Sequence, residues 1–136
     1  MDCIFCKISK KEIPAKIILE TEKSLAFMDA FPLTKGHSLV IPKTHYEKVQ
    51  DISKDDTHDL FETVRKAISK VDKITGATLL AVHNGEQSGQ EIPHVHVHLI
   101  PRSSNDSAGP VHSMFSNTTK VTEKDTEDAY GKLKES

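Results

Sequence analysis

The sequence predicts an α+β domain: an antiparallel sheet of about five short strands with one long helix packed on it. Three observations carry this. Short apolar runs bounded by turn residues recur at 16–20, 25–29, 38–42, 78–84 and 94–101. One longer run, 55–75, repeats its apolar residues at three- and four-residue steps. The chain has 136 residues, 36% hydrophobic and 28% charged, which suits one moderate core in one soluble domain.

The elements follow in order. "AKIILE" and "SLAFMD", separated by "TEKS", read as a strand pair, and "FPLTKGH" is a turn-rich connector with Pro32 and Gly36. "SLVIP" is a third strand closed by Pro42. The helix places Leu60, Phe61, Val64, Ala67, Ile68, Val71 and Ile74 on one face, expected to meet the core or a second subunit. Ser53 with Asp56 three residues on is a start signal. Lys70 and Lys73 suit the negative end of the dipole, and Gly76 is a natural stop. "TLLAVHN" is a fourth strand and "HVHVHLIP" a fifth, joined by the polar, glycine-bearing "GEQSGQEIP". After Arg102 the composition turns polar. The expected division is a domain over 1–102 and a C-terminal extension over 103–136, irregular in part, with a short terminal helix capped by Thr122.

Several function classes drop out. A net charge of −2 offers no basic field to nucleic acid. No apolar run reaches membrane-spanning length, and "MDCIFCKISKKEI" lacks a signal-peptide layout, so a cytoplasmic protein is expected, with the nucleus open to it. Arg65 and Arg102 are the only arginines, so an anion site must rest on backbone amides, histidine or lysine. Cys3 and Cys6, the only cysteines, suggest metal or redox chemistry in a reducing compartment.

The chemistry concentrates in "HVHVHLIPR". On a strand, alternate residues share a face, so His94, His96 and His98 line one side while Val95, Val97 and Leu99 pack on the helix. Same-face neighbours lie roughly 6.5–7 Å apart. Metal–imidazole bonds are about 2 Å, so one ion cannot easily gather all three rings. A row of rings suits an extended ligand. Imidazole can act as nucleophile, acid or anion partner near neutral pH, and phosphate esters and amides use all three functions.

The stretch resembles the histidine-triad (HIT) superfamily. "CIFCKI", "IPAKII", "LAFMDAFPLTKGHSLVIPKTH", "NGEQSGQE" and "HVHVHLIPR" together look like its Hint branch, over roughly residues 3–102. The resemblance implies a HIT-like fold with a short N-terminal helix, paired as a homodimer. It implies binding of a purine nucleotide and cleavage at the α-phosphorus of purine nucleoside phosphoramidates or aminoacyl adenylates, with release of a nucleoside monophosphate. His96 matches the nucleophile, which forms a nucleotidyl-histidine intermediate. His98 matches the ring near the bridging and phosphate oxygens, and His37 a supporting histidine. Asn84 and the amides of Gly89 and Gln90 match phosphate-facing positions, and Asp29 matches the carboxylate that takes the ribose hydroxyls. Phe5, Ile8, Ile13, Phe27 and Ala30 match positions around the base. Glu91 departs from the pattern: many relatives place a hydroxyl residue there, and a carboxylate would repel phosphate. His58, His83 and His112 receive no role; His83 is expected to face away from Asn84.

The Cys-x-x-Cys spacing of Cys3 and Cys6 is common in zinc sites. Certain HIT relatives complete the set at positions matching His45 and His94, which implies a structural zinc ion and takes His94 out of the chemistry. Catalysis is expected to need no cofactor. Hydrolysis of dinucleoside polyphosphates is the alternative activity, and a nucleotide-binding scaffold with incidental catalysis the alternative class. A zinc module with no nucleotide role ranks last, since it leaves His96, His98 and Asp29 idle.

Overall fold

The computed structural model describes residues 2–115, 117 and 119–135. The chain forms two compact units, one ending at Asp106 and one starting at Ser107.

The first unit is built on a five-stranded antiparallel sheet in the order β1-β2-β3-β5-β4. Its strands are β1 (Ile17–Glu20), β2 (Ser24–Met28), β3 (Ser38–Pro42), β4 (Thr78–Ala81) and β5 (Val97–Pro101), with helices α1 (Ile4–Ser9) and α2 (Lys54–Thr75). β1, β2 and β3 form a meander with a register shift between Ile17 and Leu19. The chain then crosses through α2 to the far edge, and β5 inserts between β4 and β3.

Alternation divides the sheet into two faces. Ala26, Val40, Val97 and Leu99 meet Leu60, Val64, Ala67 and Val71 of α2 in one cluster. Leu25, Phe27, Leu39 and Ile41 turn the other way and pack on Cys3, Phe5 and Ile8 around α1. Ser53 caps α2 as its spacing predicts, accepting from the Asp56 amide at 3.2 Å, and Gly76 ends it at φ +88°. Two residues of the expected helical stripe stand outside the core: Phe61 is 42% and Ile74 46% exposed. The buried arc is narrower than the apolar pattern, and Thr63 fills one of its places by donating to the Asp59 carbonyl.

The two histidine-bearing strands are shorter than their sequence runs. β4 stops at Ala81, and β5 begins at Val97 because the main chain before it leaves the ladder: the Val95 amide donates to the Tyr46 carbonyl at 2.7 Å. The unit closes where Arg102 and the Ser103 amide both donate to the Asp106 carboxylate. The second unit holds a 3-10 turn at Val111–Phe115 and helix α3 (Glu123–Lys134), started by a reciprocal capping box between Thr122 and Asp125. None of the described residues of α3 is buried within it.

Candidate active site

The imidazoles gather on the sheet face opposite α2. Leu39 and His98 are directly paired across β3 and β5, so His98 shares the α1 side of the sheet, and His37 lies two residues before Leu39 on that side. The His98 ring centroid is 5.0 Å from that of His96 and 5.2 Å from that of His37. Val95, Val97 and Leu99 are buried against α2, as the alternation predicts.

Hydrogen-bond partners assign the protons. His96 Nδ1 lies 2.7 Å from the His94 carbonyl oxygen, which can only accept, so Nδ1 carries the hydrogen and Nε2 keeps its lone pair. The Leu33 amide donates to His37 Nδ1 at 3.0 Å, so the His37 proton sits on Nε2 and is donated to His98 Nδ1 at 2.9 Å. His98 is thereby left with its hydrogen on Nε2. Burial drives His98 down to about 4, helped by its neighbours His96, His37 and His83. Burial also lowers His96, against the opposing bond to the His94 carbonyl, and lowers His37, against the nearby Asp29 carboxylate. The rings are therefore neutral at pH 7, the form in which a nitrogen can attack.

Asp29 is the first residue of the connector after β2. One oxygen accepts from the Phe31 amide at 2.8 Å, and the other is 3.6 Å from His37 Nε2. Phe5, Ile8, Ile13 and Phe27 share the α1-side cluster, with Phe5 edge-on to Phe27 at 5.8 Å and to His96 at 5.1 Å. Ala30 is exposed.

The 83–93 loop departs from expectation at three places. Asn84 does not join the imidazoles: its carbonyl oxygen accepts from the Val49 amide at 2.8 Å and its amide group donates to Gln50 at 3.0 Å. The amides offered to phosphate already have partners, since Gly89 N–H donates to the Glu86 carbonyl and Gln90 N–H to the Gly85 carbonyl. An anion would have to share those hydrogens or reshape the loop. The buried Gln90 side chain ties the loop together, accepting from the Gly85 amide and donating to the Glu47 and Ile92 carbonyls. Glu91 is exposed, in an open groove with Glu47 and Glu86.

His83 is the residue the sequence passed over. Its ring centroid is 5.5 Å from that of His98. Ala81 pairs directly with His98, and His83 follows two residues later on the same side, while Asn84 turns off it. The repeat-two alternation contained this signal, but the pairing register that gives it meaning is not a local property. His58 is exposed on α2 and His112 exposed in the second unit.

Among the described residues two groups have metal-ligand composition: Cys3, Cys6, His45 and His94, and Asp29, His37 and His98. They differ in their outer contacts. His94 donates from Nε2 to the Pro42 carbonyl at 2.8 Å, so Nδ1 presents a lone pair, 3.3 Å from Cys3 Sγ and 3.6 Å from Cys6 Sγ. That is the outer support typical of a ligating histidine. Cys6 Sγ lies 3.3 Å from His45 Nδ1. In the second group His37 Nδ1 accepts from an amide, so binding a metal through Nε2 would push the ring proton against the Leu33 N–H. The first group fits zinc; the second fits a hydrogen-bond relay.

Comparison with known proteins agrees with this architecture. The profile of the "HIT domain" family matches residues 10–105. The adenosine 5′-monophosphoramidase hnt1 of Schizosaccharomyces pombe is 40% identical over 106 residues, 78% of this chain and 78% of that protein. A solved structure, a HIT-family member from Bacillus subtilis, superposes with a TM-score of 0.85 at 32% identity, covering 99% of this chain and 96% of that one. A zinc-bound histidine triad family protein from Mycobacterium smegmatis superposes with a TM-score of 0.69 at 33% identity, covering 80% of this chain and 81% of that one. With its run of histidines, its relay and its sheet in place, the chain belongs to the HIT-domain family.

Proposed function

We propose that the protein is a nucleotide hydrolase that cleaves purine nucleoside phosphoramidates or aminoacyl adenylates at the α-phosphorus. The observation that carries this reading is the state of His96: Nδ1 held by the His94 carbonyl, Nε2 with its lone pair, and the ring kept neutral by burial. Nε2 attacks phosphorus in line, the bond to the departing nitrogen or oxygen breaks, and a nucleotidyl-histidine forms. Water then cleaves that P–N bond and releases the nucleoside monophosphate. His98 donates from Nε2 to an oxygen on phosphorus, and the His37 bond aims it. Much of the acceleration comes from such positioning. The aromatic pair Phe5 and Phe27, with Ile8 and Ile13, offers an apolar surface to a flat base. The Asp29 carboxylate suits a vicinal diol. The activity named for the fission-yeast relative supports the substrate class.

The reading includes a structural zinc ion on Cys3, Cys6, His45 and His94. Four such ligands leave no open position, so the ion would fix the N-terminus and take no part in chemistry. It also includes a homodimer in the cytoplasm. β4 is an edge strand with Leu80 exposed, which supports pairing between copies; light scattering at the mass of one chain would remove that part. The second reading, hydrolysis of dinucleoside polyphosphates, uses the same nucleophile and differs only in the departing group.

Brief mixing with an adenosine phosphoramidate, followed by intact-mass measurement, tests the core of the proposal. The expected result is an adduct of one AMP that maps to His96 and is absent from His96→Ala. Turnover that survives His96→Ala overturns it.

A further inference from the structure

A phosphoramidate nitrogen departs as an amine, never as a bare amide ion, so the P–N bond breaks only with a proton delivered to nitrogen. The assigned hydrogen bonds leave few groups to deliver it. His96 is the nucleophile. Both ring nitrogens of His37 are engaged, with the Leu33 amide and with His98. His98 retains a hydrogen on Nε2, but burial holds its cationic form down to about 4, so near neutrality it can donate a hydrogen bond and not give up a proton. Lys48 stands in the groove lined by Asn84 and Ser88, on the side of the loop to which Asn84 turns.

His83 remains. Its ring meets that of His98 at 5.5 Å and 73°. It also lies under Gly89: a Cβ built on that glycine would come within 3.1 Å of His83 Cδ2 and 3.4 Å of Nε2. Among the described residues no protein group hydrogen-bonds either ring nitrogen, although the ring is partly buried. With no protein partner on either nitrogen, this half-buried imidazole is open to a group from outside the fold.

We propose that His83 is the proton donor to the departing group, a fourth imidazole of the site set against His98 and Gly89. The inference rests on the phosphoramidase reading and adds to it a choice of substrate: leaving groups too basic to depart unprotonated. In the first step His96 Nε2 forms its bond to phosphorus, the P–N bond breaks with its electron pair on nitrogen, and that nitrogen takes the proton of cationic His83. In the second step water attacks the nucleotidyl-histidine, His96 recovers its lone pair, and the proton of water passes to neutral His83, which resets the pair. The titratable groups facing His83 are His96 and His98.

The test compares His83→Gln and His83→Asn with the wild-type protein on two substrates: an adenosine 5′-phosphoramidate of an alkylamine, and adenosine 5′-(p-nitrophenyl phosphate), whose phenolate departs without a proton. General acids contribute about 10²–10⁴-fold, so kcat/KM for the amidate should fall by about 10²-fold in both variants. The loss on the aryl ester should be smaller by about tenfold or more, because that step needs no acid. Equal losses on the two substrates in both variants, or an amidate rate untouched in either, overturn the role of His83. A wild-type protein that cleaves neither substrate overturns the phosphoramidase reading itself, and this inference with it.

Discussion

His37 Nε2 donates to His98 Nδ1 across 2.9 Å, and the direction of that bond is set from behind, where the Leu33 amide donates to His37 Nδ1. A backbone group thus fixes which edge of His98 carries its hydrogen. His37→Ala should lower kcat by about 10²-fold, the cost of misplacing a catalytic group, with KM for the nucleotide changed much less. Steady-state kinetics on folded protein checks this; a KM effect larger than the kcat effect would place His37 in binding instead.

Stability should fall as the solution turns acid. His94 and His98 drop from 6.5 to about 4 on folding, both chiefly through burial, and His37 and His96 shift the same way. Between pH 6.5 and 4 the unfolded chain therefore holds more protons than the folded one. The stabilisation is complete above pH 7 and is lost as pH descends through that window. At about 1.4 kcal/mol per unit, the total is several kcal/mol. Urea midpoints of metal-free protein at pH 7.5, 6 and 5 should decline in that order; a midpoint that rises toward pH 5 contradicts the assignment.

Zinc should be found at one ion per chain in protein purified without a histidine tag. In its absence burial pushes the Cys6 thiol up, with Cys3 adding to the effect. Cys3→Ser or Cys6→Ser should remove the metal and lower Tm by several degrees while turnover per folded molecule persists. Elemental analysis with thermal melts provides the measurement, and stoichiometric zinc retained by both variants would redirect the ligand assignment.

Gly89→Ala and Gly76→Ala make a matched pair. Both glycines have positive φ, +110° and +88°, so each alanine should cost about 1–2 kcal/mol through the backbone. Nothing lies within 4 Å of a Cβ at Gly76, whereas one at Gly89 meets the His83 ring at 3.1 Å. Only Gly89→Ala should also depress turnover. Denaturant titration and kinetics on the two variants separate backbone strain from displacement of the ring.

The sheet and the long helix were legible because periodicity is a local property. Ser53 and Gly76 mark the ends of α2 by their own chemistry, and the valines alternating with the triad announce a buried strand face. What escaped depends on partners distant in sequence. His83, and not Asn84, faces the rings because the Ala81–His98 pairing decides which of two adjacent residues turns to that side. The Gly89 and Gln90 amides looked free because their acceptors, the Glu86 and Gly85 carbonyls, are brought round only by the turn itself. Phe61 and Ile74 fit the helical stripe, but both stay exposed, because burial depends on what packs against the helix and not on its own periodicity.

One aromatic ring joins the two histidine neighbourhoods. Phe5 lies between Cys3 and Cys6 in the chain, and its edge meets His94 at 5.8 Å and His96 at 5.1 Å. Trimming the first half-dozen residues, or fusing a bulky partner ahead of them, is therefore an intervention at the proposed reaction centre. Rate constants from preparations that differ only at that end should not be pooled until their N-termini have been matched.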